Sequence, residues 1–321
     1  MLKTIILITI FLEYLFAFVF DNDLISKAIN SGLKSIPNSS ELIFLLKSDK
    51  ITKQQLDLGA KLYFDTRLSS SNSLSCNTCH NLGIGGSTPG ILDSKINPPT
   101  IYNYVFNTNN IDSIDGLNSN FKNRIKQSLI SEIEMNANEN ALIEKINSMP
   151  DYVVAFKKVY GNNVKIDLDL ISDALLNFQK ILFTPSRYDD FLNGNIKALS
   201  KVEQEGLNLF IDKGCVFCHN NVNLGGVSKN ASELGGFRFI NLNNYNGNLV
   251  EIPTLRNILD SAPYMRNGEN KNIKNVIANM MNDSFTQKEI DKIFSFFSTL
   301  SGKKIEIIYP ILPMMEPIEN K

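Results

Sequence analysis

Cys76-Asn77-Thr78-Cys79-His80 and Cys215-Val216-Phe217-Cys218-His219 contain all four cysteines and both histidines of this 321-residue chain. C-x-x-C-H is the attachment pattern of a c-type haem: each thiol can form a thioether to a vinyl group, and the adjacent imidazole can reach the iron. Two other chemistries use the same residue types. A thioredoxin-like dithiol needs only the cysteines and leaves the histidines without a role. A Cys₂His₂ zinc site would share one metal between clusters that begin at positions 76 and 215, and it lacks the usual H-x₃₋₅-H pair. Two motifs that use up every cysteine and histidine point instead to two covalently bound c-type haems. No thiol is then left for a disulfide.

The segments before the two motifs resemble each other. Leu58-Gly59-Ala60-Lys61-Leu62-Tyr63-Phe64-Asp65 matches Glu205-Gly206-Leu207-Asn208-Leu209-Phe210-Ile211-Asp212 at the glycine, leucine, aromatic and aspartate positions. Each opens on a capping-box pattern, Thr52…Gln55 and Ser200…Glu203, and each places apolar residues on one helical face. The central glycine lets a second helix approach closely. The chain therefore reads as two copies of a small helical haem unit, the first with an extra loop from Thr66 to Ser75. Further helices are expected at about 139–149, 150–160 and 167–183. A last one starts at the Thr286…Glu289 box and is closed by Gly302. No sustained alternating pattern occurs, so the expected fold is mainly α, with two cytochrome c-like haem domains in tandem. The Gly-, Asn- and Ser-rich stretches 69–99 and 219–252 are of the kind that carry function.

The chain is long enough for two ordinary domains. Its 43% hydrophobic and 20% charged content describe a soluble globular protein, and a net charge of -1 argues against a nucleic-acid binder. Met1-Leu2-Lys3, an apolar run from Thr4 to Phe20, and then Asp21-Asn22-Asp23 read as a secretory signal. Glu13 inside that run disfavours a permanent span. Export fits the haem reading, because bacterial c-type attachment takes place outside the cytoplasm. The expected organisation is a signal peptide over 1–20, a first haem domain over 21–190 and a second over 191–321.

With both histidines proximal, neither iron can be bis-histidine within one chain, so the sixth position decides each haem's role. Methionine is the natural sixth ligand for the second haem, and Met265, Met280 and Met281 follow His219 at plausible distances. Near the first haem, Glu134 precedes Met135, and a carboxylate beside an open iron suggests acid–base work.

Several blocks together resemble the bacterial dihaem cytochrome c peroxidases. They are Leu58 to Ser69, Ser75 to Asn81, Asn97-Pro-Pro-Thr-Ile-Tyr-Asn103, Thr184 to Leu192, Gly214 to His219, Ile252-Pro-Thr-Leu-Arg-Asn257 and Ala262 to Gly268. The resemblance runs from about 52 to 301 in the family's motif order. It implies that Cys76, Cys79 and His80 hold a low-potential peroxidatic haem. Cys215, Cys218, His219 and Met280 would hold a high-potential haem that takes electrons from a small cytochrome c. It further implies Glu134 as the distal glutamate and Gln127 as the distal glutamine, at a spacing shorter than the family's. A calcium between the haems would use Asn97 and the carbonyls of Ser261 and Pro263, oxygen ligands that suit that ion. Hydrogen peroxide as substrate, a periplasmic location and a homodimer follow from the same resemblance.

The departures carry information too. No third histidine exists to cap the first iron, and the family's tryptophan between the haems is replaced in Ile114-Asp115-Gly116-Leu117. Arg266 stands where a histidine is usual. Two alternatives stay open at this point: a MauG-like oxidase that modifies a partner protein, and a non-catalytic dihaem electron carrier.

Overall fold

The computed structural model describes residues 23–37, 51–88, 97–107, 114–226, 228–230, 249–265, 268–280 and 285–314. The expected signal peptide, Arg266 and Met281 lie outside them. In chain order the helices are α1 (23–30), α2 (Lys53–Phe64), α3 (Cys76–Cys79), α4 (Ile114–Ile130), α5 (Glu139–Asn147), α6 (Pro150–Tyr160), α7 (Leu168–Gln179), α8 (Arg187–Leu192), α9 (Lys201–Asp212), α10 (Ile273–Met280) and α11 (Gln287–Ser298). Strands β1 (Ser228–Asn230) and β2 (Leu249–Glu251) form one short antiparallel ladder. The fold is mainly α, as the sequence implied. Among the described residues no helix is long and apolar enough to cross a membrane.

Two compact units are present. One draws on Ser39–Thr184, Asp260–Lys271 and Lys304–Lys321, and carries the first C-x-x-C-H motif. The other draws on Met1–Asn38, Pro185–Leu259 and Asn272–Lys303, and carries the second. The chain passes from one unit to the other after Thr184, and the units are not continuous in sequence. The described residues 23–37 join the second motif's unit rather than the first. Lys27 Nζ donates to Asn208 and Asp212 of α9 at 2.7 and 2.5 Å, and the Ile36 amide donates to Asp189 at 2.7 Å. Pairings this distant in sequence leave no local signal.

Both expected capping boxes before the motifs form. The Thr52 amide donates to Gln55 Oε1 at 2.7 Å, and the Ser200 amide donates to Glu203 Oε2 at 2.7 Å. These contacts satisfy N-terminal amides that a helix cannot pair internally. In the first motif's unit, α2 lies on α7, burying Leu58, Leu62 and Tyr63 among Ile171, Ala174 and Leu175. A Cβ added to Gly59 would sit 2.2 Å from the Ala174 carbonyl oxygen and 2.7 Å from Phe178 Cβ. In the second unit, α9 lies on α11, and a Cβ on Gly206 would sit 2.0 Å from the Lys292 carbonyl oxygen and 2.9 Å from Phe296 Cβ. Each glycine thus admits a carbonyl and the phenylalanine four residues beyond it. The internal repeat extends past the two segments first noticed to their partner helices.

Helix α4 was not foreseen. Its sequence is rich in Asn and Ser, which favour caps and turns over helix interiors. It is held by Phe121, Ile125 and Leu129, which recur every four residues and bury one stripe in the core.

Candidate functional site

Each motif is built on a single helical turn. In the first, the Ser75 amide donates to Thr78 Oγ1 at 2.9 Å, and the His80 amide donates to the Cys76 carbonyl at 2.8 Å. In the second, Gly214 at φ 77° lets the chain turn into Cys215–Phe217, and the His219 amide donates to the Cys215 carbonyl at 2.9 Å. One turn sets the first cysteine, the second cysteine and the histidine at i, i+3 and i+4, so all three share a face. That is the physical content of the C-x-x-C-H spacing.

The imidazoles are oriented alike. His80 Nδ1 lies 2.9 Å from the Pro99 carbonyl, and His219 Nδ1 lies 3.0 Å from the Leu224 carbonyl. A carbonyl only accepts, so the proton sits on Nδ1 and each Nε2 presents a lone pair, the state an axial ligand needs. Burial holds both imidazoles below their ordinary range, against the opposing hydrogen bonds. Neutral rings are therefore favoured at both sites.

The loop beyond each histidine is held by a repeated device. Thr100 Oγ1 donates to the Gly85 carbonyl at 2.7 Å, and Thr254 Oγ1 donates to the Asn223 carbonyl at 2.7 Å. Three residues later stand Asn103 and Asn257, both left-handed at φ 60° and 56°. The Asn103 amide donates to the Leu182 carbonyl at 2.8 Å, while its Oδ1 accepts from the Thr184 amide at 2.8 Å. The Asn257 amide donates to the Leu300 carbonyl at 3.0 Å, and its Oδ1 accepts from the Gly302 amide at 2.8 Å. Between threonine and asparagine, Tyr102 and Arg256 each reach a carbonyl of the loop, Leu82 and Val222 respectively.

The two surroundings differ in charge. Glu134 is exposed on the turn after α4, with its amide donating to Ser131 at 3.0 Å. Burial pushes the Cys76 thiol up to about 12, and Cys79 and Glu134 add to the shift. Cys79 and His80 feel the Glu134 carboxylate as well, and His80 also feels the Arg124 cation. At the second motif, burial pushes the Cys215 thiol up to about 11, Cys218 adds to the shift, and the Lys213 cation opposes it. Gln127 is exposed on α4. Met280 is half-buried at the end of α10, in the same unit as His219, whereas Met265 belongs to the first motif's unit. Asn97 Nδ2 donates to the carbonyls of Pro263 at 2.6 Å and Met265 at 3.3 Å, and its buried Oδ1 has no hydrogen-bond partner among the described residues. Ser261 is half-buried in the same segment.

Residues 53–197 match the family model for di-haem cytochrome c peroxidase. The cytochrome c551 peroxidase of Pseudomonas aeruginosa is 34% identical over 87% of this chain and 87% of that protein. The cytochrome c551 peroxidase of Nitrosomonas europaea is 34% identical over 80% of this chain and 83% of that protein. The chain belongs to the di-haem cytochrome c peroxidase family. In fold it is similar to the crystal structure of a MauG-like protein associated with microbial copper homeostasis, with a TM-score of 0.63, 19% identity, and coverage of 84% of this chain and 93% of that one.

Membership of the di-haem peroxidase family brings two c-type haems, and the donors present suit them. Each unit offers two thiols on one face of a turn and a neutral imidazole with Nε2 available. Sequence reasoning missed Arg124, although it stands one turn before Gln127 on α4, a spacing that puts both on one face. It also missed the carbonyl of Met265 as a contact of Asn97. The paired Asn103 and Asn257 were in view as the ends of Pro99-Thr100-Ile101-Tyr102-Asn103 and Pro253-Thr254-Leu255-Arg256-Asn257, a repeated pattern that could have identified them.

Proposed function

We propose that this protein is a periplasmic dihaem peroxidase that reduces hydrogen peroxide to water with electrons from a small cytochrome c. The observation that carries the reading is the unequal setting of two like motifs: the Glu134 carboxylate acts on Cys76, Cys79 and His80. The likeness to two cytochrome c551 peroxidases supports it. The apolar start of the chain and the c-type motifs support export.

In this reading Cys76, Cys79 and His80 would hold the first haem. Cys215, Cys218, His219 and the thioether of Met280 would hold the second. The bound haems would supply the redox chemistry, peroxide reduction at the first and entry of donor electrons at the second. Glu134 takes a proton from the inner peroxide oxygen and delivers it to the outer one as the O–O bond breaks. The side-chain amide of Gln127 donates a hydrogen bond that orients the peroxide. The Pro99 carbonyl keeps His80 in the tautomer that ligates, and the Leu224 carbonyl does the same for His219. Asn97, with the carbonyls of Ser261, Pro263 and Met265, is the proposed calcium site. The buried Oδ1 of Asn97, unpartnered among the described residues, is an oxygen donor of the type that ion takes.

The test is direct. Holoprotein is mixed with reduced cytochrome c, and peroxide is added. Oxidation of the cytochrome at two equivalents per peroxide is expected, and its absence would sink the reading.

A further inference from the structure

We propose that the first motif's unit has an oxidative outlet of its own, an aromatic chain of Tyr63, Phe64 and Tyr309 that ends in a radical on exposed Tyr309. The inference rests on the peroxidase reading above, because peroxide is the oxidant.

The chain begins at the site. Tyr63 is fully buried, and its hydroxyl donates to the His80 carbonyl at 2.6 Å. Its ring meets Phe64 at 5.4 Å between centroids, edge to face at 74°. Phe64 in turn meets Tyr309 at 4.9 Å. Phe178 lies 5.2 Å from Tyr63 and 6.5 Å from Phe64, so the first two rings are wedged in place. These separations are those of rings in contact. Tyr309 is 63% exposed, and Ile305 and Ile307 pack its segment against the unit's core. Three touching rings therefore run from the backbone of His80 to solvent.

Proton chemistry sets the direction. A phenol gives up an electron readily only when its proton can also leave. The Tyr63 hydroxyl faces a peptide carbonyl, which accepts a hydrogen bond but not a proton. Tyr309 has water at hand. The chain holds no tryptophan, which leaves tyrosine as its most oxidisable ring. Phe64 is a bridge that shortens the gap and is not itself oxidised.

When the donor is scarce, the balance is as follows. The peroxide O–O bond breaks at the site. The Tyr309 O–H bond breaks, its proton goes to bulk water and its electron returns through Phe64 and Tyr63. Two Tyr309 radicals on separate molecules then couple through a carbon–carbon bond. In total two tyrosines and one peroxide give one dityrosine and two waters. The outlet would spare the residues around the first motif from an unspent oxidising equivalent.

The test uses holoprotein with peroxide and no cytochrome. Freeze-quenched samples are examined by EPR, and later samples by dityrosine fluorescence and peptide mapping. A tyrosyl signal, covalent dimers and modification at Tyr309 are expected. Tyr309→Phe should lose most of the dimer and the late radical, yet keep wild-type turnover with reduced cytochrome c. Phe64→Leu, which removes the bridge and leaves Tyr309 in place, should lower modification of Tyr309. Unchanged dimer yield in Tyr309→Phe, or oxidation mapped elsewhere in the wild type, would overturn the proposal. Loss of wild-type turnover with cytochrome c would instead overturn the peroxidase reading beneath it.

Discussion

Asp189 receives both terminal nitrogens of Arg256 inside the second motif's unit, at 2.7 and 2.9 Å, and neither side chain is more than 5% exposed. Arg256 Nε also donates to the Val222 carbonyl at 2.6 Å, in the loop that supplies the Leu224 carbonyl to His219. The Asp189 carboxylate further accepts from the amides of Ile36 and Ser186 at 2.7 and 2.8 Å. Four chain segments thus meet at one ion pair. Breaking such a buried pair by removing one partner strands the other charge, at about 3–5 kcal/mol. Arg256→Met should therefore lose on that order of stability in a denaturant titration. A loss below about 1 kcal/mol, the range of surface pairs, would show that the pair does not tie the unit together.

Gly206 admits the backbone of α11 so closely that a methyl group cannot be added without moving a helix. Gly206→Ala should destabilise by about 1–3 kcal/mol or more through overpacking, despite the better helix propensity of alanine. Gly59→Ala should behave alike at α7. Thermal melts of the two holoprotein variants check both, and a stabilised alanine variant would contradict the observed approach.

Much of this frame was legible in the chain. The capping boxes at Thr52, Ser200 and Thr286 and the close approach at the two glycines follow from local rules, because each depends on residues a few positions apart. Helix α4 was not legible: its Asn- and Ser-rich sequence gives little helical signal, and only burial of Phe121, Ile125 and Leu129 decides it. The crossing of residues 23–37 to the second motif's unit depends on Lys27 and Ile36 finding Asp212 and Asp189, pairings that no window of sequence contains. At the site, the shared turn of each histidine with its two cysteines was legible from spacing alone. Their orienting carbonyls, Pro99 and Leu224, were not, since a main-chain acceptor has no residue signature.

In the proposed mechanism Glu134 transfers the proton. Glu134→Gln keeps the shape and removes the base, so peroxide turnover should fall by about 10²–10⁴-fold. The reduced spectrum of the second haem should not change. Stopped-flow mixing with reduced cytochrome c measures the first, and optical spectra the second. Near wild-type turnover would remove Glu134 from the mechanism.

Met280 is the ligand proposed for the second iron. Met280→Ala should open that position to cyanide and lower the potential of that haem, because a thioether ligand raises it. Optical titration with cyanide and a redox titration report the change. If neither moves, another side chain holds the position.

Glu203 gives the protein an acid limit of its own. Burial alone would raise its pKa, but the Arg187 guanidinium at 2.7 Å and the Ser200 amide hold it down to about 2. A carboxylate depressed in the folded state stabilises above its unfolded value, near 4.5, and that stability is lost as pH falls toward about 2. With screening at half-exposed Arg187, the contribution is on the order of 1–3 kcal/mol. Glu203→Gln should flatten the stability profile in that window, as read by melts from neutral to acid pH. An unchanged profile would assign the acid limit to other groups.

The matched glycine and asparagine contacts have an evolutionary consequence. Two halves built to the same plan cannot easily drift apart at Gly59, Gly206, Asn103 or Asn257, since any side chain at the glycines meets main-chain atoms of the neighbouring helix. Divergence is left to the intervening loops. Any difference in role between the two motifs is then carried by those loops, with the helical scaffold held in common.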